Sequence, residues 1–312
     1  MTKRRRRGVH VDLMGGATMS RSSQLTKTLA AALVESRPVV QAVSLLRFFT
    51  AVVLAGTAIG GIRELLPVLT SATAVFLSAF AVYLANGVAD VVEDRANGSR
   101  RPIASGRLDE RHAALLAAAA GGLAVPFALS VGPPAVVAVT AYLAAGIAYS
   151  FGPLPLKNRV STFMSAVAVL GVSTYALGVA AVGALPLEVV VLALSMSGWM
   201  ACGGLSKDLS DVVGDRVAGR RTWPVVFGMR VARRATAGAT VLVAIGFGVA
   251  AALVAPLLVP AALAAAAGAT VLVAELLLPQ EGARPARRPY QVFMWTQYAV
   301  HLVVLATCLL VL

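Results

Sequence analysis

Residues 67–102 read PVLTSATAVFLSAFAVYLANGVADVVEDRANGSRRP. The stretch opens as an apolar run long enough to cross a bilayer, which takes about 20 helical residues. It ends on Asp90, Glu93 and Asp94, then turns into a loop rich in glycine and arginine. Carboxylates at a membrane boundary are costly unless paired, hydrated or metal-bound, so they mark function by default. Asn86, Asp90 and Asp94 recur in steps of four, which predicts one helix face.

A second stretch repeats the plan. Residues 206–224 read SKDLSDVVGDRVAGRRTWP. Asp208, Asp211 and Asp215 again share one predicted face, at the end of another apolar run. Asp94-Arg95-x-x-Gly98 parallels Asp215-Arg216-x-x-Gly219, and both continue into Arg and Pro. Glycine suits a turn and arginine suits phosphate. Two related halves flanking one site follow as the expected architecture.

The rest of the chain agrees with a membrane setting. Of 312 residues, 58% are hydrophobic, 13% are charged, and the mean hydropathy is +0.81. Soluble domains carry about 25% charged residues. Lipid-exposed segments must satisfy their own backbone, so these runs are helices. The alternation of a membrane β-barrel strand is absent. Nine spans are predicted, roughly 39–58, 67–92, 112–131, 134–152, 160–183, 186–206, 232–255, 257–279 and 290–312. Residues 1–37 are polar and basic and read as a disordered cytoplasmic tail, with Lys3 to Arg7 placed to meet anionic lipid headgroups. Residues 38–312 form the transmembrane domain.

The net charge of +13 follows the same logic. With a cytoplasmic N-terminus, loops 93–111, 153–159, 207–234 and 280–289 carry 17 basic residues, whereas the opposite side carries only Arg63. That asymmetry satisfies the positive-inside rule and requires an odd number of spans. It puts both acidic motifs on the cytoplasmic face of a cell membrane. It also excludes a nucleic-acid binder, because the basic residues lie between spans and not on one soluble face. His10, His112 and His301 do not cluster, and Cys202 and Cys308 have no metal spacing, so neither type is given chemistry.

Magnesium takes hard oxygen ligands and keeps substrate phosphates in its shell. Two facing carboxylate stripes suit Mg²⁺ and a diphosphate, with no His or Cys needed. A transporter of a charged solute is the non-enzyme alternative. The acidic groups gather at one face, though, and no charge run crosses the midplane.

At these residues the sequence resembles the UbiA superfamily of intramembrane prenyltransferases. NGVADVVED and DLSDVVGD resemble the family's NxxxDxxxD and DxxDxxxD motifs, and YSFGPLPLK, Tyr149 to Lys157, resembles its segment after the fourth helix. One departure stands out. Many members carry Asp directly after the motif Asn, and here the residue is Gly87.

The resemblance implies an all-α bundle around a central cavity, and a Mg²⁺-dependent enzyme that moves an isoprenyl group from a prenyl diphosphate to an aromatic or other electron-rich small-molecule acceptor. Asn86, Asp90, Asp94, Asp208, Asp211 and Asp215 are the implied metal ligands. Arg101, Lys157, Lys207 and Arg47 are the implied diphosphate contacts, and Tyr149 lies near the reacting carbon. A cyclase that ionises the same diphosphate without an acceptor is the alternative within the superfamily. The loops RRPIASG and GRRTWP look closer to the branch acting on chlorophyllide, homogentisate or geranylgeranylglyceryl phosphate than to the 4-hydroxybenzoate branch. The Ala- and Arg-rich composition suits a GC-rich bacterium, where enzymes of this resemblance often build specialised metabolites. No protein partner is implied.

Overall fold

A computed structural model describes residues 21–278 and 287–311. The Lys3–Arg7 run and most of loop 280–289 lie outside the described residues. The described chain is helical, and nine of its helices are long and apolar enough to cross a membrane, matching the expected number. These are α2 (Pro38–Ala58), α3 (Leu65–Ala89), α5 (Glu110–Leu129), α6 (Pro133–Ser150), α7 (Val160–Val182), α8 (Leu187–Asp208), α11 (Met229–Val254), α12 (Val259–Leu277) and α13 (Arg288–Val311). Local chemistry sets several ends. Pro38 and Pro133 open α2 and α6, where a missing N–H costs nothing. Asp109 caps α5, its Oδ1 accepting from the backbone of Arg111 at 3.0 Å and His112 at 3.1 Å.

The spanning helices form a closed ring. Each packs on the next in sequence, and α13 returns to α2. Helices α2, α3, α7, α8 and α13 also pack across the interior and enclose the central space. Much of the wall is alanine, including Ala51, Ala74, Ala124 and Ala262, all buried. Small side chains let helix backbones approach closely where lipid supplies no hydrophobic drive.

Two expectations are corrected. The tail predicted over 1–37 is replaced at Arg21–Glu35 by a helix, α1, that packs on α3 and α5. Its sequence is too polar to read as a span, but Leu25, Leu29 and Leu33 recur every four residues and stay exposed. Such a stripe suits the membrane interface. Neither acidic motif lies on one unbroken helix. The chain bends at Asp90, where α3 gives way to α4 (Val91–Ala96), and at Asp211, where α9 (Val212–Val217) begins. A last short helix, α10 (Trp223–Phe227), leads into α11.

Candidate active site

From Asp90 and Asp211 onward the two bends follow the same course. Asp90 has φ −95° and ψ 6°, and Asp211 has φ −107° and ψ 10°. Asp94 N donates to Asp90 O at 2.8 Å, and Asp215 N donates to Asp211 O at 2.9 Å. Both six-residue helices then end in a left-handed glycine, Gly98 at φ 64° and Gly219 at φ 69°. Ser99 N and Arg220 N close the turns by donating to Asp94 O and Asp215 O, each at 2.8 Å. Helices α4 and α9 touch, and Asn97 Oδ1 accepts from Gly214 N at 2.7 Å.

Within this frame most of the acids have a basic partner. Lys157 Nζ pairs with Asp90 Oδ1 and stands 3.3 Å from Glu93 Oε1. Arg101 Nη1 lies 2.7 Å from Asp94 Oδ2. Lys207 pairs with Asp211, to which Ser210 Oγ also donates at 2.9 Å. Arg220 Nη1 lies 2.9 Å from Asp215 Oδ1, and Thr222 donates to Oδ2 at 3.2 Å. Arg220 Nη2 also reaches the Lys157 carbonyl at 3.2 Å, which ties the second motif to the third segment. Asn86 donates to Asp90 Oδ2 at 2.6 Å and accepts from Ser150 Oγ at 2.9 Å. Asp208 is buried, and its carbonyl accepts from Asp211 N at 3.3 Å.

These contacts decide the charge states. Burial pushes Asp90 and Asp211 up, but Lys157 and Lys207 outweigh it and hold both carboxyls below the usual range. For Glu93 and Asp215 burial prevails, and both are raised despite Lys157 and Arg220.

A cavity of about 120 Å³ lies below the motifs. Asn86, Asp90, Tyr149, Lys207 and Arg47 line it, so the structure brings five predicted site residues to one cavity. Lys157 stands behind Asp90. Asp94, Arg101, Asp208, Asp211 and Asp215 do not line the cavity. The aromatic wall is Tyr83, Tyr149, Phe163, Tyr290 and Phe293. Phe163 lies over Gly204, where a Cβ would overlap its ring. Arg47 is buried in the span and donates to Gln297 Oε1. Gln297 also serves His301, whose Nδ1 lies 2.6 Å from the Gln297 carbonyl and whose Nε2 meets Tyr175 Oη at 2.6 Å. His301 is thus a packed histidine.

Among the basic residues that line the cavity, sequence reasoning missed two as site candidates, Arg37 and Arg220. Arg220 was legible as the arginine that follows the second glycine turn. Arg37 carried no signal. It joins α1 to α2 with φ 58°, the single non-glycine residue among those described with positive φ. Such strain persists where the surroundings impose it.

The donor set fits magnesium by its chemistry. All six candidate ligands offer oxygen, and five are carboxylates. Among the described residues, however, no three acids converge into a ready cage. Lysine and arginine stand between them, as like charges in a low-dielectric site require.

The UbiA prenyltransferase family model matches residues 29–297. The chain belongs to the UbiA prenyltransferase family. The digeranylgeranylglyceryl phosphate synthase of Halobacterium salinarum is 38% identical over 141 residues, which is 43% of this chain and 48% of that protein. The synthase of the same name from Natronomonas pharaonis is 33% identical over 185 residues, 56% of this chain and 64% of that protein. The chain thus spans about half to two-thirds of the length of the curated relatives it matches. A UbiA homologue from Archaeoglobus fulgidus bound to GPP and Mg²⁺ shares the fold with a TM-score of 0.70 at 17% identity, covering 89% of this chain and 99% of that one. An apo UbiA homologue from Aeropyrum pernix K1 gives 0.61 at 19% identity over 86% of this chain and 96% of that one. The UbiA bundle is therefore the fold of this protein, with nine spans among the described residues.

Proposed function

We propose that this UbiA-family chain is a Mg²⁺-dependent prenyltransferase that ionises a prenyl diphosphate at the cytoplasmic ends of α3 and α8. The observation that carries the reading is the pairing of two copied acidic motifs with Lys157, Arg101, Lys207 and Arg220 above one aromatic-walled cavity. The names of the relatives and of the metal-bound neighbour support the same class.

Each side chain has a task. Asn86, Asp90, Asp94, Asp208, Asp211 and Asp215 would hold the metal, which supplies charge stabilisation on the departing diphosphate. Lys157, Lys207, Arg101 and Arg220 neutralise the motif carboxylates, and Arg47 is held beside the cavity by Gln297. When a diphosphate enters, the same cations turn to its oxygens, where donors aimed at developing charge have most effect. Tyr149 and its ring neighbours offer π-faces to the allylic carbon as positive charge grows there. Closely packed apolar helices keep water from that carbon. An electron-rich acceptor attacks it, and the acceptor's proton is then lost. The protein is multi-pass, and the basic loops around both motifs favour a cytoplasmic active site.

The test is turnover of purified protein in lipid nanodiscs with geranyl, farnesyl and geranylgeranyl diphosphates. Acceptors include an aromatic phenol and an isoprenyl glycerol phosphate, and products are read by mass spectrometry. Asp90→Ala and Asp208→Ala should each abolish turnover in protein that still inserts, and EDTA should stop the wild type until Mg²⁺ is restored. Near wild-type rates in both variants refute the reading. A cyclised hydrocarbon formed without acceptor assigns the cyclase chemistry instead.

A further inference from the structure

Aligned in sequence on their shared acids and glycine turns, the two motifs give each residue of one a counterpart in the other. With Asp90 on Asp211 and Asp94 on Asp215, Asn86 falls on Lys207 and Gly87 falls on Asp208. The second motif therefore has a carboxylate directly after its lead residue, and the first has none.

The space at Gly87 is filled from elsewhere. A Cβ built there would overlap Glu35 Oε1 and stand 3.0 Å from Glu35 Cδ and 2.9 Å from Arg101 Nη2. Glu35 ends α1, far from the motif in sequence, and is fully buried. Its Oε2 accepts from Ile103 N at 2.9 Å. Its Oε1 lies 2.5 Å from Arg101 Nη2, off the N–H direction, so it has the ion contact but no aligned hydrogen bond. Arg101 Nη2 also donates to the Glu35 carbonyl at 3.3 Å, while Nη1 holds Asp94.

We propose that Glu35 is a positioning residue of the diphosphate site: it supplies from α1 the carboxylate that the second motif carries at Asp208, and it fixes Arg101 beside Asp94. Arg101 is shared between two acids. A buried guanidinium stripped of its counter-ion is strongly disfavoured. With Glu35 in place, Asp94 can turn toward a ligand while Arg101 keeps both charge balance and direction. Gly87 and Glu35 are then one unit, because any side chain at 87 would displace the carboxylate. This also accounts for the departure at Gly87 from the family's usual Asp.

The inference rests on the proposed function, and the experiment separates the two. Full-length protein in nanodiscs is melted by tryptophan fluorescence while Mg²⁺ is titrated at fixed inorganic diphosphate. Turnover is measured alongside, with KM and kcat resolved. Glu35→Gln should raise the half-saturating Mg²⁺ concentration about tenfold, as expected for one lost charge-assisted contact, and raise KM more than it lowers kcat. Gly87→Asp alone should be impaired, because its side chain meets Glu35. Gly87→Asp combined with Glu35→Ala should return half-saturation to within about threefold of wild type, the coupling expected of residues in contact.

Glu35→Gln that melts lower but keeps its Mg²⁺ half-saturation within about twofold of wild type reduces Glu35 to a fastening for α1 and overturns the proposal. If Glu35→Gln does not fold, the double variant decides. A folded, responsive double variant supports the exchange, and an unfolded or unresponsive one refutes it. A wild-type protein with no Mg²⁺ response to diphosphate refutes the proposed function, and this inference falls with it.

Discussion

Replacing Lys157 with methionine keeps most of the side chain's volume and deletes its charge. The lysine side chain is 6% exposed, and its acids Asp90 and Glu93 are 12% and 9% exposed. The substitution therefore strands two carboxylates in a site almost closed to water. Removing one partner of a buried pair costs about 3–5 kcal/mol. Residual exposure at Asp90 and the donation from Asn86 favour the lower end, about 3 kcal/mol. The loss should depend on pH in a definite direction. Without Lys157 the folded-state pKa of Asp90 rises above its unfolded value, so folding then favours the protonated acid. The deficit of Lys157→Met is therefore largest above neutral pH and shrinks as pH falls through that raised pKa. Adding Glu93→Gln removes one stranded charge and should recover about 1 kcal/mol. The assay is equilibrium unfolding in mixed micelles titrated with SDS, run in EDTA between pH 5 and pH 8. A loss under about 1 kcal/mol, or one that does not change with pH, refutes the reasoning.

Other predictions follow from the same contacts. In the wild type Glu93 is raised, by burial and then by the charge of Asp90, so its ionised form opposes folding. Glu93→Gln should accordingly raise the melting temperature at pH 8, and the gain should fade as the pH drops and wild-type Glu93 takes up its proton. Gly204→Ala places a methyl group 2.8 Å from Phe163 Cε2 and closer still to the ring tip. It should cost about 1–3 kcal/mol by overpacking and shift the preferred prenyl donor, read as relative kcat/KM across the three diphosphates. Asp109→Ala removes the cap of α5 and should lower stability in the SDS titration while leaving turnover unchanged.

The spans were legible because hydropathy over 20 residues is a strong signal and lipid leaves the backbone few options. The acidic motifs were legible because charge at a membrane boundary is rare. Helix α1 was not, because its apolar residues form only a narrow stripe between Ser, Gln, Thr and Lys. The breaks at Asp90 and Asp211 were hidden too. At Asp90 the i→i−4 bond to Asn86 is kept and at Asp211 the chain makes an i→i−3 turn to Asp208, and neither change alters the spacing of the acids along the sequence. Lys157 was a candidate by resemblance, but its bond to Asp90 joins residues far apart in sequence, which no local pattern encodes. Glu35 escaped notice for a similar reason. Only the space left by Gly87 reveals its place.

The contact between Asn97 and Gly214 has a further consequence. It joins the first motif's helix α4 to the second motif's α9, and position 214 has no room for a side chain, since a Cβ would stand 2.7 Å from the Asn97 Cγ and the Glu93 carbonyl. The two half-sites thus share one roof whose spacing is set before any substrate arrives. A ligand that bridges both motifs meets a preorganised frame, and little of its binding free energy goes to bringing the halves together.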